Sequence, residues 1–337
     1  MGQGLSVPRT SVLMVAYNAA PFLTEAVDSL LCQCDSDFEL ILVDNASTDG
    51  SVIELAKNCH DKRLRVVSAP ENLGPYGGAV AGLSYCRGEF IARMDADDAS
   101  LPQRLSLQVG ALQAQPRLDA LGCFCQRIDE QGADLGEMVF PCTHEDIVKI
   151  ARLRMPIAHP TLVMRRSVLE QTPYRQEYRS SGDFDFVLRA LDRFRFATLP
   201  LSLYQYRQQP RSLTQASNIL QLASGCAARL VAVRRARQLP EHLETEIAWA
   251  TELASRLQSR AAIYDAYAQR AAEMSMQVLA LQFKRQARWE EPGLRRLPGI
   301  GNYALRAYRQ QQLDASDVSG AFGAWMSKIM LRRRSDD

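Results

Sequence analysis

The sequence predicts an α/β fold in which helices flank a mostly parallel β-sheet. Continuous apolar runs at residues 11–16, 38–43, 64–67 and 90–94 have the composition of strands that are buried on both faces. Helical stretches separate these runs, and strand–helix alternation at this spacing is typical of parallel sheets. Three of the runs end in polar turns, and right-handed crossovers place such turns along one edge of the sheet. That edge is where open α/β sheets bind their ligands.

Helices are predicted between these strands and beyond them. Apolar residues recur at helical spacing over residues 22–31, which predicts the first helix. A second helix is predicted over residues 51–59, and a third helix is predicted to end at Tyr85. Further along, the pattern predicts helices over residues 101–115 and 182–191, and strands over residues 118–128, 159–164 and 196–206.

The carboxyl-terminal part of the chain has a different character. Residues 215–289 are rich in Ala, Leu, Gln and Arg, and they predict two or three helices. Residues 292–301 have the composition of a linker, and residues 302–312 that of a further helix. The segment 318–334 is apolar and then basic. It is expected either to lie on an anionic membrane or to pack as an ordinary helix with a solvated end.

The composition is that of a globular protein without a nucleic-acid partner. The 337 residues carry 40 Lys and Arg against 38 Asp and Glu, so the formal net charge is only +2. The chain has no run of 18 apolar residues and no amino-terminal secretory pattern, which predicts a soluble protein on the cytoplasmic side. Eight cysteines lie mostly in apolar contexts without a zinc-like arrangement of histidines, and they are expected to be reduced.

The turn after the fourth apolar run concentrates negative charge. Asp95, Asp97 and Asp98 place three carboxyl groups within four residues. Like charges at this spacing repel and raise one another's pKa, and a divalent cation would remove the repulsion. Carboxylate oxygens suit Mg²⁺ or Mn²⁺, which usually keep part of their coordination shell for phosphate oxygens. The turn therefore predicts a site for a metal and a nucleoside diphosphate, with an acidic helix start capped by Asp98 as the alternative.

An ordered series of motifs resembles family-2 glycosyltransferases of the GT-A fold, over roughly residues 10–214. The run Ala-Arg-Met-Asp-Ala-Asp-Asp at residues 92–98, followed by Leu-Pro-Gln-Arg at residues 101–104, is its most specific part. The sequence looks most like bacterial enzymes that build surface polysaccharides or lipooligosaccharide. The matching segments are VAYN at residues 15–18, VDNASTD at 43–49, NLG at 72–74, IARMDADD at 91–98, HPT at 159–161, GDFD at 182–185 and YR at 206–207.

The resemblance implies an architecture and a reaction. A GT-A domain over residues 1–214 would combine a Rossmann-like nucleotide-sugar half, about 10–100, with an acceptor half, about 101–214, and a helical extension would follow over 215–337. The implied enzyme is an inverting, metal-dependent transferase that moves a hexosyl or N-acetylhexosaminyl group from a UDP- or dTDP-sugar to a hydroxyl of a glycan or lipid-linked acceptor. It would act in the cytoplasm, with peripheral contact to the inner membrane through the basic carboxyl-terminal segment.

The resemblance also implies a role for each matching position. Asp183 corresponds to the catalytic base, Asp97 to the main ligand of a Mg²⁺ or Mn²⁺ ion, and Asp98 to a supporting ligand. The turns at Tyr17 and Asp44 would hold the nucleotide base. The implied acceptor-side residues are His159 and Asp185, with a structural role as the alternative for Asp185. The implied nucleotide-sugar contacts are Ala16, Tyr17, Asn18, Asp44, Asn45, Asn72, Gly74, Arg93, Asp95, Ala96 and Arg207.

Local structure offers alternative roles for several of these residues. Asp44 and Asp183 are also of the type that caps turns and helices, and Asp49 is expected to be a cap. His159 precedes a proline and is equally well explained as a core histidine with a satisfied hydrogen bond. Arg93 is expected either on the surface of its strand or in a salt bridge to the carboxylate cluster.

Four positions depart from the family's usual residues. Asn45 stands where a second Asp often contacts the base, and Gly182 replaces the Glu that usually precedes the catalytic Asp. Val80 replaces a common Asn, and Gln209 replaces a His that is frequent near the diphosphate, which leaves Arg207 and Arg211 as the cations there. These departures favour the alternative of a degenerate protein that binds nucleotide-sugars or assists assembly without turnover. A nucleotidyltransferase and a dinucleotide-dependent dehydrogenase are disfavoured, because the first turn lacks the glycine-rich loop that each requires.

Overall fold

The structure, a computed structural model, describes residues 7–209, 218–257 and 259–290. A nine-stranded mixed sheet forms its centre, in the order β3-β2-β1-β4-β8-β6-β9-β5, with β7 paired to β6. The strands are β1 (Thr10–Ala16), β2 (Phe38–Asp44), β3 (Leu64–Ser68), β4 (Phe90–Asp95), β5 (Ala99–Ser100), β6 (Ala120–Ile128), β7 (Asp134–Met138), β8 (Val163–Arg165) and β9 (Phe196–Arg207). The helices are α1 (Leu23–Leu31), α2 (Ser51–Asn58), α3 (Gly74–Leu83), α4 (Arg104–Ala114), α5 (His144–Ala151), α6 (Arg166–Gln171), α7 (Gly182–Ala190), α8 (Asn218–Ala236), α9 (Leu243–Arg256), α10 (Arg260–Glu273) and α11 (Gln277–Glu290).

The four predicted parallel strands form one half of the sheet. β1 pairs in parallel with β2 and β4, and β3 extends the same half beyond β2. In the other half β8 runs antiparallel to β4 and to β6, whereas β9 runs parallel to β6. The predicted parallel sheet with flanking helices is thus confirmed, and antiparallel strands extend it.

Side chains of the central strands alternate between two hydrophobic clusters. Val12 and Met14 of β1 pack in the cluster that also contains residues of α1 and α4. Leu13, which points to the opposite face, packs with residues of α3 and α7. A strand that is covered on both faces needs apolar residues at every position, which explains the continuous apolar runs.

Short elements account for most differences from the predicted secondary structure. The predicted strand over residues 159–164 is wrong in part, because His159–Thr161 forms a 3₁₀ turn and only Val163–Arg165 pairs in the sheet. Pro160 lacks the N–H that a ladder needs, so the chain enters the sheet after it. The additional short elements β5, β7, α5 and α6 have two to eight residues each and leave weak patterns in the sequence.

Four helices, rather than two or three, occupy the described part of residues 215–289. Two of the breaks between them lack glycine and proline, and Ser275 turns the chain with a left-handed φ of 58°. Ser181 Oγ donates a hydrogen bond to the carbonyl of Gln221 at 2.8 Å, so α8 packs beside the start of α7. None of the described helices is long and apolar enough to cross a membrane. The predicted linker, the helix over 302–312 and the segment 318–334 lie outside the described residues.

Candidate active site

The polar turns after β1, β2 and β4 lie side by side at one edge of the sheet. β1 pairs in parallel register with both neighbours, so that Ala16 lies beside Asp44 and Val15 beside Asp95. Ala16 is fully buried and contributes to the site through its backbone position. The three turns therefore lie together at one edge of the sheet, as the order of the motifs predicts, and such an edge is where α/β sheets bind their ligands.

Hydrogen bonds join the turn after β1 to the turn after β2. The backbone N–H of Asn18 donates to Ser47 Oγ at 3.2 Å, and the backbone N–H of Thr48 donates to Asn18 Oδ1 at 2.8 Å. Asp44 Oδ1 accepts the backbone N–H of Ser47 at 2.9 Å, which is an Asx-type turn. Tyr17 projects from this joint with half of its surface exposed. An aromatic ring on a fixed turn is suited to pack on a planar ligand.

Asp49 is a cap, as predicted. Its Oδ1 accepts the backbone N–H of Ser51 at 3.1 Å, in the first turn of α2. Its Oδ2 accepts the backbone N–H of Ala20 at 2.9 Å, from the turn after β1. Asp49 therefore holds two turns of the crevice together and is not needed as a ligand.

Asn45 supports the loop before α3. Its Nδ2 donates to Asn72 Oδ1 at 3.0 Å and to the carbonyl of Gly74 at 3.2 Å, and its Oδ1 accepts the backbone N–H of Leu73 at 3.0 Å. Asn72 Oδ1 also accepts the backbone N–H of Gly74, at 2.8 Å. The buried amide uses both ends on this loop, and the expected contact of Asn45 with a nucleotide base stays a prediction. Asn72 and Gly74 are thereby fixed at the rim of the crevice.

Desolvation raises the pKa of all three carboxyl groups after β4, and repulsion adds to it at Asp97 and Asp98. Burial and the charge of Asp95 raise the pKa of Asp97 to about 6. Burial and the charges of Asp97 and Asp95 raise the pKa of Asp98 well above its usual value, and burial raises that of Asp95. Ala96 between them is buried and can offer only its backbone. The turn has an excess of negative charge that a cation would relieve.

Arg207 and Gln209, at the end of β9, hold the acidic turn in place. The backbone N–H of Arg207 donates to Asp98 Oδ1 at 2.8 Å, and its Nε donates to the carbonyl of Asp97 at 2.9 Å. The guanidinium also forms an ion pair with Glu25 at 2.7 Å and is almost fully buried. Gln209 Nε2 donates to Asp97 Oδ2 at 2.8 Å. The guanidinium of Arg207 thus positions the turn, and its expected contact with a diphosphate stays a prediction. Arg211 lies outside the described residues.

Two buried arginines lie beneath the acidic turn. Arg93 Nη2 lies 3.9 Å from Asp95 Oδ1, which is the salt bridge that the sequence left as one of two alternatives. Arg104 Nη2 donates to the carbonyls of Arg93 at 2.7 Å and of Pro160 at 3.0 Å. Both positive charges oppose the rise in the pKa of Asp95. No role was predicted for Arg104, although it lies with Gln108 on one face of α4 at a spacing of four residues.

The acidic turn fits a divalent cation. Asp98 Oδ2 is buried without a hydrogen-bond partner in the described part of the chain, and its pKa is among those raised. The described ranges contain no group of three or more Asp, Glu, His or Cys side chains arranged around an ion. Magnesium-like ions are commonly held by one or two carboxylates and completed by phosphate oxygens and water. The unpartnered Asp98 oxygen and the raised pKa values of the turn agree with that kind of site.

The first turn of α7 presents Asp183 to the same crevice. Its Oδ1 accepts hydrogen bonds from the Tyr76 hydroxyl at 3.1 Å and from the backbone N–H of Phe184 at 2.9 Å. Burial raises the pKa of Asp183, and the charge of Asp95 raises it further. The two carboxyl groups are therefore near enough to interact electrostatically. A perturbed carboxylate in a crevice, opposite a candidate metal turn, is a candidate proton acceptor.

Comparisons with known proteins agree with this geometry. The model of glycosyl transferase family 2 matches residues 11–172. The O-antigen biosynthesis glycosyltransferase WbnJ of Escherichia coli is 33% identical over 212 residues, which cover 60% of this chain and 80% of that protein. The chain belongs to glycosyl transferase family 2. An uncharacterized glycosyltransferase of Haemophilus influenzae is 28% identical over 211 residues, and the match spans 59% of this chain and 65% of that relative.

Solved structures of low sequence identity show the same fold. S. aureus TarS in complex with UDP superposes with a TM-score of 0.59 and 20% identity, covering 90% of this chain and 92% of that one. The mannosyltransferase PcManGT of Pyrobaculum calidifontis in complex with GDP-Man and Mn²⁺ superposes with a TM-score of 0.51 and 20% identity, over 84% and 88% of the two chains. The predicted GT-A-like fold is confirmed.

Gly182 makes room for Tyr76 in this family 2 glycosyltransferase. A Cβ at residue 182 would lie 2.6 Å from Tyr76 Cε2 and 2.9 Å from Tyr178 Cβ, which is closer than real contacts allow. The Glu that usually occupies this position therefore cannot be accommodated while Tyr76 stays in place. Tyr76 instead reaches Asp183 from α3, 107 residues earlier in the chain. Nothing in the sequence signals this pairing, so Tyr76 was not among the predicted site residues.

His159 and Asp185 lie in the core of this glycosyltransferase rather than on an acceptor surface. His159 Nε2 shares a hydrogen bond with the Tyr174 hydroxyl at 2.8 Å, and burial lowers the pKa of the imidazole well below its usual value. Asp185 forms ion pairs with Arg189 at 2.8 Å and with Arg175 at 3.4 Å. Both buried groups already have protein partners, and their expected acceptor contacts stay predictions. The structural alternatives describe both residues.

Proposed function

We propose that the chain is an inverting, metal-dependent glycosyltransferase that moves a sugar from a nucleoside-diphosphate donor to a hydroxyl of a glycan or glycolipid. The observation that carries this proposal is the shared crevice. Asp183 interacts electrostatically with Asp95, whose turn also carries Asp97 and Asp98. A proton acceptor and a turn suited to a metal-bound diphosphate are the two parts that sugar transfer requires in one place.

Asp183 is the proposed catalytic base. It takes the proton of the acceptor hydroxyl while that oxygen forms a bond to the anomeric carbon. The bond from this carbon to the diphosphate oxygen breaks, the leaving group keeps the electron pair, and direct displacement inverts the anomeric centre. Because burial raises the pKa of Asp183, its carboxylate is a stronger base than an exposed one. A positioned base contributes roughly 10²–10⁴-fold to the rate.

Asp97 is the proposed main metal ligand, and Asp98 is the proposed supporting ligand. A bound Mg²⁺ or Mn²⁺ would supply positive charge to the departing diphosphate. The chain keeps the turn in position through the hydrogen bonds of Arg207 and Gln209 to it. Tyr17, at the joint of the first two turns, is proposed to pack against the nucleotide base.

The proposed donor is a UDP- or dTDP-sugar that carries a hexosyl or N-acetylhexosaminyl group. The TarS complex with UDP supports a uridine nucleotide, and the mannosyltransferase complex with GDP-Man and Mn²⁺ supports a nucleotide-sugar and a metal without favouring uridine. The role of WbnJ in O-antigen biosynthesis supports an acceptor in surface polysaccharide or lipopolysaccharide assembly. We extend the proposal to a catalytic domain over residues 1–214 and a helical extension over 215–337. The site of action would be the cytoplasmic face of the inner membrane.

A donor screen followed by turnover measurements tests this proposal. A panel of nucleotide-sugars is first ranked by thermal shift with Mn²⁺, since a bound donor stabilises the folded chain by mass action. Sugar transfer or slow donor hydrolysis is then measured with Mn²⁺ and with a chelator. We expect the chelator and Asp97→Ala each to abolish most turnover. Asp265→Ala, which removes an exposed carboxylate on α10, is the matched control.

Two outcomes would change the proposal. Undiminished turnover in Asp97→Ala would exclude the metal role of this residue. Binding of a nucleoside diphosphate without turnover of any donor would favour the alternative of a non-catalytic assembly partner.

A further inference from the structure

A cleft of ≈ 290 Å³ opens beside Asp183, on the side formed by the carboxyl-terminal helices. The loop after α5 and the start of α7 form one wall, and α8 and α10 form the other. Apolar and polar side chains alternate along these walls. The lining residues are Leu153, Arg154, Met155, Ser181, Asp183, Phe184, Gln221, Leu222, Gly225, Cys226, Arg229, Arg260 and Tyr264. We call this space the arginine cleft, after its residues Arg154, Arg229 and Arg260.

The charge of the arginine cleft is positive. Three arginines and one acidic residue, Asp183, line it, and Arg154 and Arg229 are the two arginines on which the argument depends. Arg154 is exposed, and within the described ranges its side chain has no hydrogen-bond or ion-pair partner. A hydroxyl compound bound beside Asp183 would therefore have cations on its far side.

Arg229 is the most unusual of the three arginines. Only 4% of its surface is exposed, and its Nε has no hydrogen-bond partner among the described residues. Its other nitrogens donate to neutral amide oxygens, to Gln286 at 2.6 Å and to Gln282 at 3.2 Å. Its guanidinium lies over the ring of Phe283, 4.3 Å from the centroid. None of these partners supplies the negative charge that a buried cation normally requires.

A purely structural role explains the burial of the Arg229 charge less well than a bound anionic ligand does. Its bonds to Gln282 and Gln286 do join α8 to α11, and a neutral side chain could make similar contacts. Burial lowers the pKa of Arg229, so the fold bears the cost of desolvating this charge. The Nε–H of Arg229 is itself buried, so an oxyanion would reach it only if the wall of the cleft shifted. A guanidinium without a carboxylate partner beside a cleft still attracts a planar or tetrahedral oxyanion.

We propose that the arginine cleft binds an anionic group of the acceptor, a phosphate or a carboxylate, while the acceptor hydroxyl lies at Asp183. This inference rests on the proposed function for the identity of the ligand as acceptor. It adds that the acceptor is itself charged, as in a glycan that contains phosphate or uronic acid. The negative charge of the turn at residues 95–98 disfavours the same group on the donor side of the crevice.

Calorimetry of the full chain in a chelator tests the arginine cleft separately from the donor site. Without metal the acidic turn repels anions, so inorganic phosphate has the arginine cleft as its binding site. We expect saturable phosphate binding that weakens with salt. A second titration with glucuronate distinguishes a carboxylate from a phosphate as the bound group. The ligand that binds more tightly identifies the anionic group of the acceptor. Donor binding with Mn²⁺ in a third titration tests the proposed function, so the two can fail independently.

Three variants decide the assignment. Arg154→Gln and Arg229→Met each remove a charge from the cleft, and each is expected to weaken phosphate binding by about tenfold. Arg256→Gln removes an exposed arginine of α9 that lies outside the cleft, and it is expected to bind like the original chain. Because Arg154 is exposed, its variant remains informative even if Arg229→Met fails to fold. Absence of phosphate and glucuronate binding in the original chain, or equal binding in all three variants, would overturn the proposal.

Discussion

Asp185 and Asp97 are both desolvated carboxylates, but the charges around them have opposite signs. Asp185 lies in the core with two arginines, at 2.8 and 3.4 Å. Asp97 has Asp95 and Asp98 as neighbours, and its pKa rises to about 6. The negative charge of Asp185 is neutralised within the chain, whereas the negative charge of Asp97 and its neighbours is left for a ligand to neutralise. In this protein it is incomplete compensation, rather than acidity or burial alone, that marks the site.

The same contrast recurs within the first turn of α7. Asp183 and Asp185 are two residues apart, yet their side chains meet different surroundings. Asp183 accepts only a phenol hydroxyl and a backbone N–H in its described hydrogen bonds, and it lines the arginine cleft. Asp185 points into the core against its arginines. Their variants should therefore fail in different ways, one in chemistry and the other in folding.

Asp183→Asn should give the largest effect. The amide keeps the size of the side chain but cannot take a proton, so turnover is expected to fall by roughly 10²–10⁴-fold with stability nearly unchanged. The measurement is kcat for sugar transfer beside a urea unfolding curve. A loss of only a few-fold in kcat would remove Asp183 as the base and break the contrast with Asp185.

Asp185→Asn should have the opposite effect, with a loss of stability and an unchanged kcat. It leaves Arg189 partly buried without its counter-charge, whereas Arg175 keeps its ion pair with Glu241, and breaking a buried ion pair costs about 3–5 kcal/mol. We expect this loss in the free energy of unfolding, measured in urea. The chain that remains folded should keep its kcat, because Asp185 does not face the crevice. A stability within about 0.5 kcal/mol of the original would show that the pair is not structural.

The sequence was sufficient for the parts of the fold that repeat a local pattern. Continuous apolar runs predict β1, β2 and β4 because a strand buried on both faces must be apolar throughout. The residues of the acidic turn were likewise predictable, since three carboxylates in four residues have few structural uses. The short strand β7 and the 3₁₀ turn at His159–Thr161 were not, because tertiary contacts outweigh weak local preferences there.

Contacts between distant segments limited the prediction of the site. Asn45 and Arg207 match family positions, but their hydrogen-bond partners lie on other loops and turn both side chains to supporting roles. Tyr76 was missed for the same reason, because its partner Asp183 is 107 residues away. A glycine at residue 182 was visible in the sequence, but the ring that fills its space was not.

Asp97→Asn should stabilise the metal-free chain at alkaline pH. The pKa of Asp97 is about 6 in the folded chain, above its usual value of 3.8, so the folded state binds more protons between those values. The stability contributed by this group is therefore present at pH 4 and lost as the pH rises through 6. In a chelator, the variant should gain about 1–3 kcal/mol over the original at pH 8 and nothing at pH 4.

Adding Mn²⁺ to the same unfolding measurement tests the metal role of Asp97 directly. With Mn²⁺ the original chain should become more stable at pH 8 and the variant should respond less, because Asn is a weaker ligand. Urea unfolding at both pH values, with and without Mn²⁺, gives the four comparisons. An equal stability difference at pH 4 and pH 8 would show that Asp97 carries no unfavourable charge.

Tyr76→Phe should have the smallest effect, and it concerns the pKa of Asp183 alone. The hydroxyl of Tyr76 stabilises the carboxylate by donating to Oδ1, so its removal raises the pKa of Asp183 further. A hydrogen bond to a charged group contributes about 1.5 kcal/mol at the low end of its range, which corresponds to roughly tenfold in activity. The acid limb of the kcat/KM profile should move to higher pH, because a base with a raised pKa stays protonated longer. Tyr85→Phe, at the far end of α3, is the control and should leave the profile unchanged. If Tyr76→Phe lowers activity equally at every pH, the hydroxyl acts through packing or substrate contact, and Asp183 does not depend on it for its charge.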